Sequence, residues 1–290
     1  KEPHLVFTEN YTEAYIGGVG AVGRHISSFV DKVILYSNIS NEPELNQLVK
    51  KKMEKNIKCI FNKPEKNFKS IVKKRYIDLK SNYKIFGSYI LPKDNKILWN
   101  SNLANLKKKI QKNGDLAIVT DYGHGFINGK IFQLIKKNFK YLSLNAQINS
   151  SNINTHSLKN YNNFDLLVIN ETEIRSDYQD NVSEIVALGK KVLKEKKIKN
   201  IVITRGLNGA IMIDKNKVYK CPAFSNKSID KVGAGDAMLS IISLCLNKKI
   251  DKQLSLFLGS LAGAFSVQNI GNSKPLFKSE LERNLEYMMK

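Results

Sequence analysis

Long apolar runs are missing from this sequence. No stretch approaches the roughly 20 residues a membrane-spanning helix needs, and the opening Lys1-Glu2-Pro3-His4 lacks the apolar centre of a secretory leader. Neither a membrane protein nor a secreted one is expected. Cysteine is sparse: Cys59, Cys221 and Cys245 stand far apart and outside any Cys-x-x-Cys spacing. That excludes a disulfide framework and a cysteine zinc site, and points to reduced thiols in a cytoplasmic protein. Acidic residues number 26 against 47 lysines and arginines, leaving a formal charge of +21. Arginine itself is scarce, with five in the chain, although base readout and bidentate phosphate clamps favour it. The lysines are scattered over amphipathic helical stretches, as at Lys107, Lys108, Lys109 and Lys112, or Lys190, Lys191, Lys194, Lys196 and Lys197. They read as a solvated coat and not as a nucleic-acid face, and an anionic small substrate suits the same charge.

What is present is a folded α/β chain. Its 290 residues lie near the upper limit for one hydrophobic core, and 42% hydrophobic residues are too many for a disordered chain. No repeat or Pro/Ser-rich linker divides it. In the first 90 residues, strand-like segments occur at 4–8, 32–36, 58–61, 69–77 and 83–90; the loose alternation at 69–77 suits an edge or lid strand. From about residue 100, strands at 116–120, 141–144, 166–169 and 200–204 alternate with helices at 103–112, 128–138 and 183–195. That rhythm predicts βαβ units around a parallel sheet buried on both faces. Helices are expected at 234–247, 251–269 and 277–289. The expected architecture is a central, mostly parallel sheet flanked by helices, with a small β lid within about 4–10 and 68–90.

Ligands of open parallel sheets sit at the carboxyl ends of the strands. Unusual polar segments follow four of the expected ends: Asp121-Tyr122-Gly123-His124-Gly125, Asn145-Ala146-Gln147, Asn170-Glu171-Thr172-Glu173 and Arg205-Gly206-Leu207-Asn208-Gly209. Any one of them alone is ordinary turn chemistry; four ends of one sheet make a crevice. The strongest segment is Asp230-Lys231-Val232-Gly233-Ala234-Gly235-Asp236-Ala237-Met238, which opens an apolar helix. Gly233 and Gly235 let the backbone turn tightly and present consecutive N–H groups to an anion at the positive end of the helix dipole. Taken alone, Asp236 could be a helix cap. Beside an anion hole, a carboxylate also suits removal of a proton from an attacking hydroxyl.

Asp-x-Val-Gly-Ala-Gly-Asp-Ala-Met resembles the signature of the ribokinase-like (PfkB-type) carbohydrate kinases. Three further motifs agree in order and spacing: Gly17-Gly18 is similar to the family's early di-glycine, Asn170 to Glu173 to its N-x-x-E motif, and Thr204 to Gly209 to its nucleotide loop. The match runs from residue 17 to about 271. Within the family, Asp121 to Gly125 resembles the D-Y-x-K-G of kinases acting on heptose phosphates. The resemblance implies ATP and Mg²⁺ as cofactors and transfer of a phosphoryl group to a sugar or sugar-phosphate hydroxyl. It makes Asp236 the base and the amides of Gly233, Ala234 and Gly235 the cradle of the transferring group. Glu173, with Asn170, would organise magnesium through water. Thr204, Gly206 and Gly209 would line the nucleotide, with helices 251–269 and 277–289 closing over the adenine and Gly271 near it. Gly17, Gly18, Asp121, His124 and Asn145 fall to the acceptor, and Arg75, if 69–77 belongs to the lid, reaches an anionic acceptor.

Departures concentrate in the acceptor half. Ala21 stands where the di-glycine motif carries a sugar-binding Asn, His124 replaces a Lys, and Lys231 replaces a Thr, which counts against a monovalent-cation site. The family opens with a strand ending in a sugar-binding Asp. Only 16 residues precede Gly17 here and none forms that strand, so the chain reads as a fragment of a longer polypeptide, with a nucleotidyltransferase as a candidate fused domain. The competing reading is a catalytically silent domain that binds or regulates such a partner. Relatives often dimerise through the lid. Gly18 to Gly23 also satisfies G-x-G-x-x-G, but no buried strand precedes it and no acid ends the next strand, so a dinucleotide site is not expected. His25 reads as a packed histidine, and no histidines share metal-ligand spacing.

Overall fold

The computed structural model describes residues 6, 8–62, 68–81, 83–91, 95–148, 152, 156–224 and 229–288. After α1 (Val19–Ser27), β1 (Val33–Asn38) pairs in parallel with β2 (Ile57–Asn62) across α2 (Pro43–Lys52). An antiparallel hairpin follows, β3 (Val72–Ile77) with β4 (Lys84–Ile90), and then α3 (Asn95–Lys109). The main sheet comes from β5 (Gly114–Asp121), β6 (Phe139–Ala146), β7 (Leu166–Asn170), β8 (Asn200–Thr204), β9 (Ala210–Ile213) and β10 (Val218–Cys221). Its order is β10-β9-β8-β7-β6-β5, with β5 to β8 parallel and the last two added antiparallel. The intervening helices are α4 (Gly129–Asn138), α5 (Glu171–Tyr178) and α6 (Ile185–Glu195). The chain closes with α7 (Ala234–Asn247), α8 (Lys252–Ser266) and α9 (Lys278–Met288).

Helices cover the main sheet on both faces, as its unbroken apolar strands require. Leu167, Ile169, Ile201, Ile203, Ile211 and Ile213 pack with side chains of α4, α5 and α6. The alternate residues Leu166, Val168, Val202 and Met212 pack with Met238, Leu239, Ile242 and Leu256 of α7 and α8 and with Val22 of α1. The same alternation fixes the register, because a one-residue slip would exchange the two faces.

The hairpin β3–β4 lies within the stretch 68–90, where lid strands were expected. Of the lid segment expected at 4–10, residues 4, 5 and 7 lie outside the described residues and the others carry no strand. Among the described residues β1 pairs with β2 alone and β5 with β6 alone. Consecutive residues of both strands line one cleft of about 2550 Å³, which continues to the carboxyl ends of β5 to β8. Two features of the expected pattern changed. The stretch after Asn170 is helical, and a β9–β10 hairpin occupies 210–221, where no element had been expected.

Candidate active site

The four polar segments converge. Asp121, Asn145, Asn170, Glu173, Thr204, Gly206 and Gly209 all line the cleft together with Gly17, Gly18, Gly233, Ala234, Gly235, Asp236 and Gly271.

After β5 the chain turns through Gly123 and Gly125, with φ of 71° and 83°. Asp121 was expected to face the acceptor, but its carboxylate serves the loop itself. It is 4% exposed and accepts hydrogen bonds from the Gly123 N–H at 2.9 Å and from the Tyr161 hydroxyl. The residue that reaches across the cleft is Tyr122, whose hydroxyl donates to Asp236 Oδ1 at 3.1 Å. Burial and the neighbouring Asp236 charge raise the phenol well above its usual range, so it remains a donor. Sequence reasoning passed over Tyr122 although it stands between Asp121 and Gly123 in the quoted motif. Gly18, at φ 57°, packs beneath it, and a Cβ there would lie 3.2 Å from the Tyr122 ring.

Asp236 is the third residue of α7, whose cap is Gly233 at φ 92°, without a side-chain capping bond. The plain capping role open to Asp236 is therefore not taken. First-turn amides of a helix have no partner within it. A Cβ on Gly235 would meet nothing within 4 Å, so the backbone at Gly235 borders open space, and an anion at this helix N-terminus would be favoured. Burial pushes the half-buried Asp236 up to about 6, while the Tyr122 hydrogen bond and the charge of Lys73 hold it down. That value suits a group that exchanges a proton near neutral pH.

Glu173 and Asn170 form a capping box at the start of α5: Asn170 Oδ1 accepts from the Glu173 N–H at 2.7 Å, and Glu173 Oε2 accepts from the Asn170 N–H at 3.0 Å. Glu173 is 6% exposed, and burial, reinforced by Asp236, raises it to about 7 against the Asn170 hydrogen bond. Two carboxylates that sense each other in a buried site favour a cation between or beside them. Among the described residues no three His, Cys, Asp or Glu side chains gather into a metal cluster. Glu173 and Asp236 supply the carboxylate oxygens that a magnesium ion bound largely through water would need.

Asn145 donates through Nδ2 to the Val168 carbonyl at 2.8 Å, locking the end of β6 to β7. Arg205 salt-bridges to Glu171 at 2.9 Å. Gly209, at φ 74°, admits no side chain, since a Cβ would lie 2.1 Å from the Cys221 carbonyl oxygen. Asp230 accepts from the Val232 and Gly271 N–H groups at 3.0 and 2.9 Å, and from Lys84 of β4 at 2.5 Å, tying the lid to the signature turn. Arg75 is exposed on the lid. Lys73, two residues earlier and on the same face of β3, is half-buried with its ammonium 5.9 Å from the Tyr122 ring centre. His124 is half-buried and neutral: burial, then the Lys73 charge, lowers it to about 4. Helix α8 lines the cleft through Ser260, Gly263 and Ala264, but no residue of α9 does. The segment around α9 packs on α1 instead, with the Leu276 N–H donating to the buried His25 at 3.2 Å and the Lys278 N–H to Ser28. The expectation that 277–289 closes over a nucleotide is corrected accordingly, and His25 is a packed histidine.

Compared with known families, residues 105–278 match the description "pfkB family carbohydrate kinase". The chain belongs to this family. Among curated pfkB-type relatives, Bifunctional protein HldE of Campylobacter fetus subsp. fetus is 26% identical over 166 residues, 55% of this chain and 34% of that protein. Deoxyribokinase of Salmonella typhi is 28% identical over 109 residues, 37% of this chain and 36% of that protein. The match thus spans about a third of each relative's length. Among solved structures, phosphofructokinase-2 from Escherichia coli in complex with potassium superposes with a TM-score of 0.73 at 15% identity, covering 99% of this chain and 94% of that one. At this identity the likeness shows a shared ribokinase-like fold. No helix among the described residues is long and apolar enough to cross a membrane.

Proposed function

We propose that this chain transfers the γ-phosphoryl group of ATP to a hydroxyl of a sugar or sugar phosphate, with Asp236 as the base. The observation that carries this reading is the position of Asp236: free of capping duty, held by Tyr122, and one residue from the open turn at Gly235. The acceptor hydroxyl gives its proton to Asp236 as its oxygen attacks phosphorus. The N–H groups of Gly233, Ala234 and Gly235 take up the charge spread over the transferring oxygens, so that catalysis is mostly positioning and electrostatics. Thr204, Gly206 and Gly209 border the nucleotide. Bound magnesium would neutralise phosphate charge, and Glu173 is the residue that would hold it. The resemblance of Asp121 to Gly125 to the motif of kinases acting on heptose phosphates favours a heptose phosphate as acceptor, and the description of the relative HldE as bifunctional supports a fused second domain such as a nucleotidyltransferase. The cleft between β1 and β5 supports a further part of this reading, that one extended segment outside these 290 residues completes the sheet. The exposed apolar side chains of β4, Ile85, Tyr89 and Ile90, support a homodimer through the lid.

The test is Asp236→Asn, assayed for magnesium-dependent ADP release over a panel of sugars and sugar phosphates. Transfer is expected to fall on the order of a thousandfold with ATP binding retained; undiminished transfer would remove Asp236 as the base. The competing reading, a silent domain kept to bind or regulate a partner, takes its support from the buried Ala21 and the open cleft. It predicts ATP binding without turnover of any acceptor.

A further inference from the structure

Asp230 opens the signature segment that turns at Gly233, yet phosphoryl transfer gives its carboxylate no task. The side chain is 6% exposed. Its Oδ1 accepts from the Val232 N–H at 3.0 Å and from the Lys84 ammonium at 2.5 Å, and its Oδ2 from the Gly271 N–H at 2.9 Å. Behind it, the N–H groups of Ile229 and Asp230 donate to the carbonyl of Val267, the C-cap of α8, at 2.9 and 3.1 Å. A carboxylate and the negative end of a helix thus meet at one buried point. Among the described residues Lys84 is the one cation within 4.0 Å of this carboxylate. Burial alone would raise the Asp230 carboxyl; the Lys84 ammonium, then the two amides, outweigh it and hold the group below its usual value.

The cation comes from outside the main sheet. Lys84 is the first residue of β4, opposite the point where the hairpin ladder shifts register between Tyr76 and Ile77, an irregularity of the kind that re-aims side chains. The hairpin pairs with no further strand among the described residues, so side-chain contacts hold it in place. Without Lys84, Asp230 would be a buried carboxylate facing amides alone, which is strongly unfavourable. Relief would require the segment that carries Asp230 to move, and that segment is built into the anion-binding turn. Asp230 fixes the Gly271 N–H, and the neighbouring Asn272 seats against Gly233, where a Cβ would lie 2.2 Å from Asn272 Oδ1. Asp230, Gly233, Gly271 and Asn272 line the cleft, whereas Lys84 does not. Lys84 therefore acts through Asp230 and not on a bound ligand.

We infer that Lys84 is a positioning residue for phosphoryl transfer: its ammonium neutralises Asp230 and so seats the turn at Gly233 to Gly235 against the 271–272 turn, aligning the anion-binding amides only while the hairpin is docked. The inference rests on the reading of that turn as the cradle of the transferring group. The test compares wild type with Lys84→Ala, each in methylammonium chloride and in tetramethylammonium chloride at equal ionic strength. The Lys84 side chain is 41% exposed, so its removal leaves a hole that a small ammonium ion reaches from solvent and a bulky one does not fill. In tetramethylammonium, Lys84→Ala is expected to lower kcat at least about tenfold and to change the acceptor KM less than about threefold. Methylammonium is expected to return at least about half of the lost kcat in the variant and to leave wild type unchanged. An unchanged kcat, a loss that methylammonium does not relieve, or a loss confined to the acceptor KM would each overturn the inference. Titration calorimetry of ATP with Mg²⁺, without acceptor, separates this question from turnover. Lys84→Ala is expected to bind ATP at least about fivefold more weakly, with recovery in methylammonium. That result sustains the role of Lys84 even if no acceptor is phosphorylated and the kinase reading fails, whereas equal affinity in variant and wild type refutes it.

Discussion

Strand β7 buries Leu166, Leu167, Val168 and Ile169 to 1% exposure or less, whereas all of β4 is exposed, with Ile85 at 41% and Tyr89 at 41%. Both strands contribute to the lining of one cleft, β7 through Val168, Ile169 and Asn170 and β4 through Ile85. The β7 side belongs to a six-stranded sheet with helices on both faces. The β4 side is a two-stranded hairpin, joined to the signature turn by the ion pair of Lys84 with Asp230 and to the loop after β5 by Lys73 over the Tyr122 ring. An isolated hairpin is marginal in water. The contrast teaches that, on the proposed function, phosphate geometry would be fixed by the core, while acceptor geometry would depend on how the hairpin docks.

The contrast breaks most readily in stability. Ile203→Ala removes a fully buried side chain and is expected to cost roughly 2–5 kcal/mol in urea unfolding. Ile85→Ala on the lid is expected to cost less than about 1 kcal/mol. Similar costs at both positions would mean that the lid belongs to the same cooperative core.

A smaller effect sharpens the comparison at the edge between the halves. The amides of β1 and β5 that face the cleft are expected to exchange with deuterium at least about tenfold faster than those of β7, since they have no strand beside them. Equal protection would show that the cleft closes without any added segment, and would remove that part of the proposal.

How much of this was legible in the sequence follows the same division. The strands of the main sheet announced themselves because both of their faces are buried, which leaves short apolar runs ended by polar turns. The four loops could be read for the same reason. Asn170 to Glu173 was read for its association with magnesium, yet its spacing is equally that of a capping box, and the helix α5 follows from it. The hairpin of β9 and β10 was missed because four-residue strands give too short an alternation to count. Tyr122 against Asp236 and Lys84 against Asp230 are separated by 114 and 146 residues, and no local pattern encodes such pairings. Lys73 and Arg75 share one face of β3, so alternation could not choose between them. Lys73 is half-buried and Arg75 exposed, and depth is a tertiary property. That the carboxylate of Asp121 also holds the Tyr161 hydroxyl was not readable for the same reason: Tyr161 arrives from a different part of the chain.

The central claim is that Asp236, held by Tyr122, takes the proton of the acceptor. It is tested most directly by the pH dependence of kcat/KM in wild type and Tyr122→Phe. Burial raises Asp236 to about 6, and the ionised form is the one that can accept a proton. The rate should therefore rise with pH through a limb near that value. The Tyr122 hydrogen bond lowers the Asp236 pKa, so its removal should move the limb upward by about half to one pH unit. A limb that stays in place in Tyr122→Phe, or a wild-type rate that does not change across this range, would contradict the assignment.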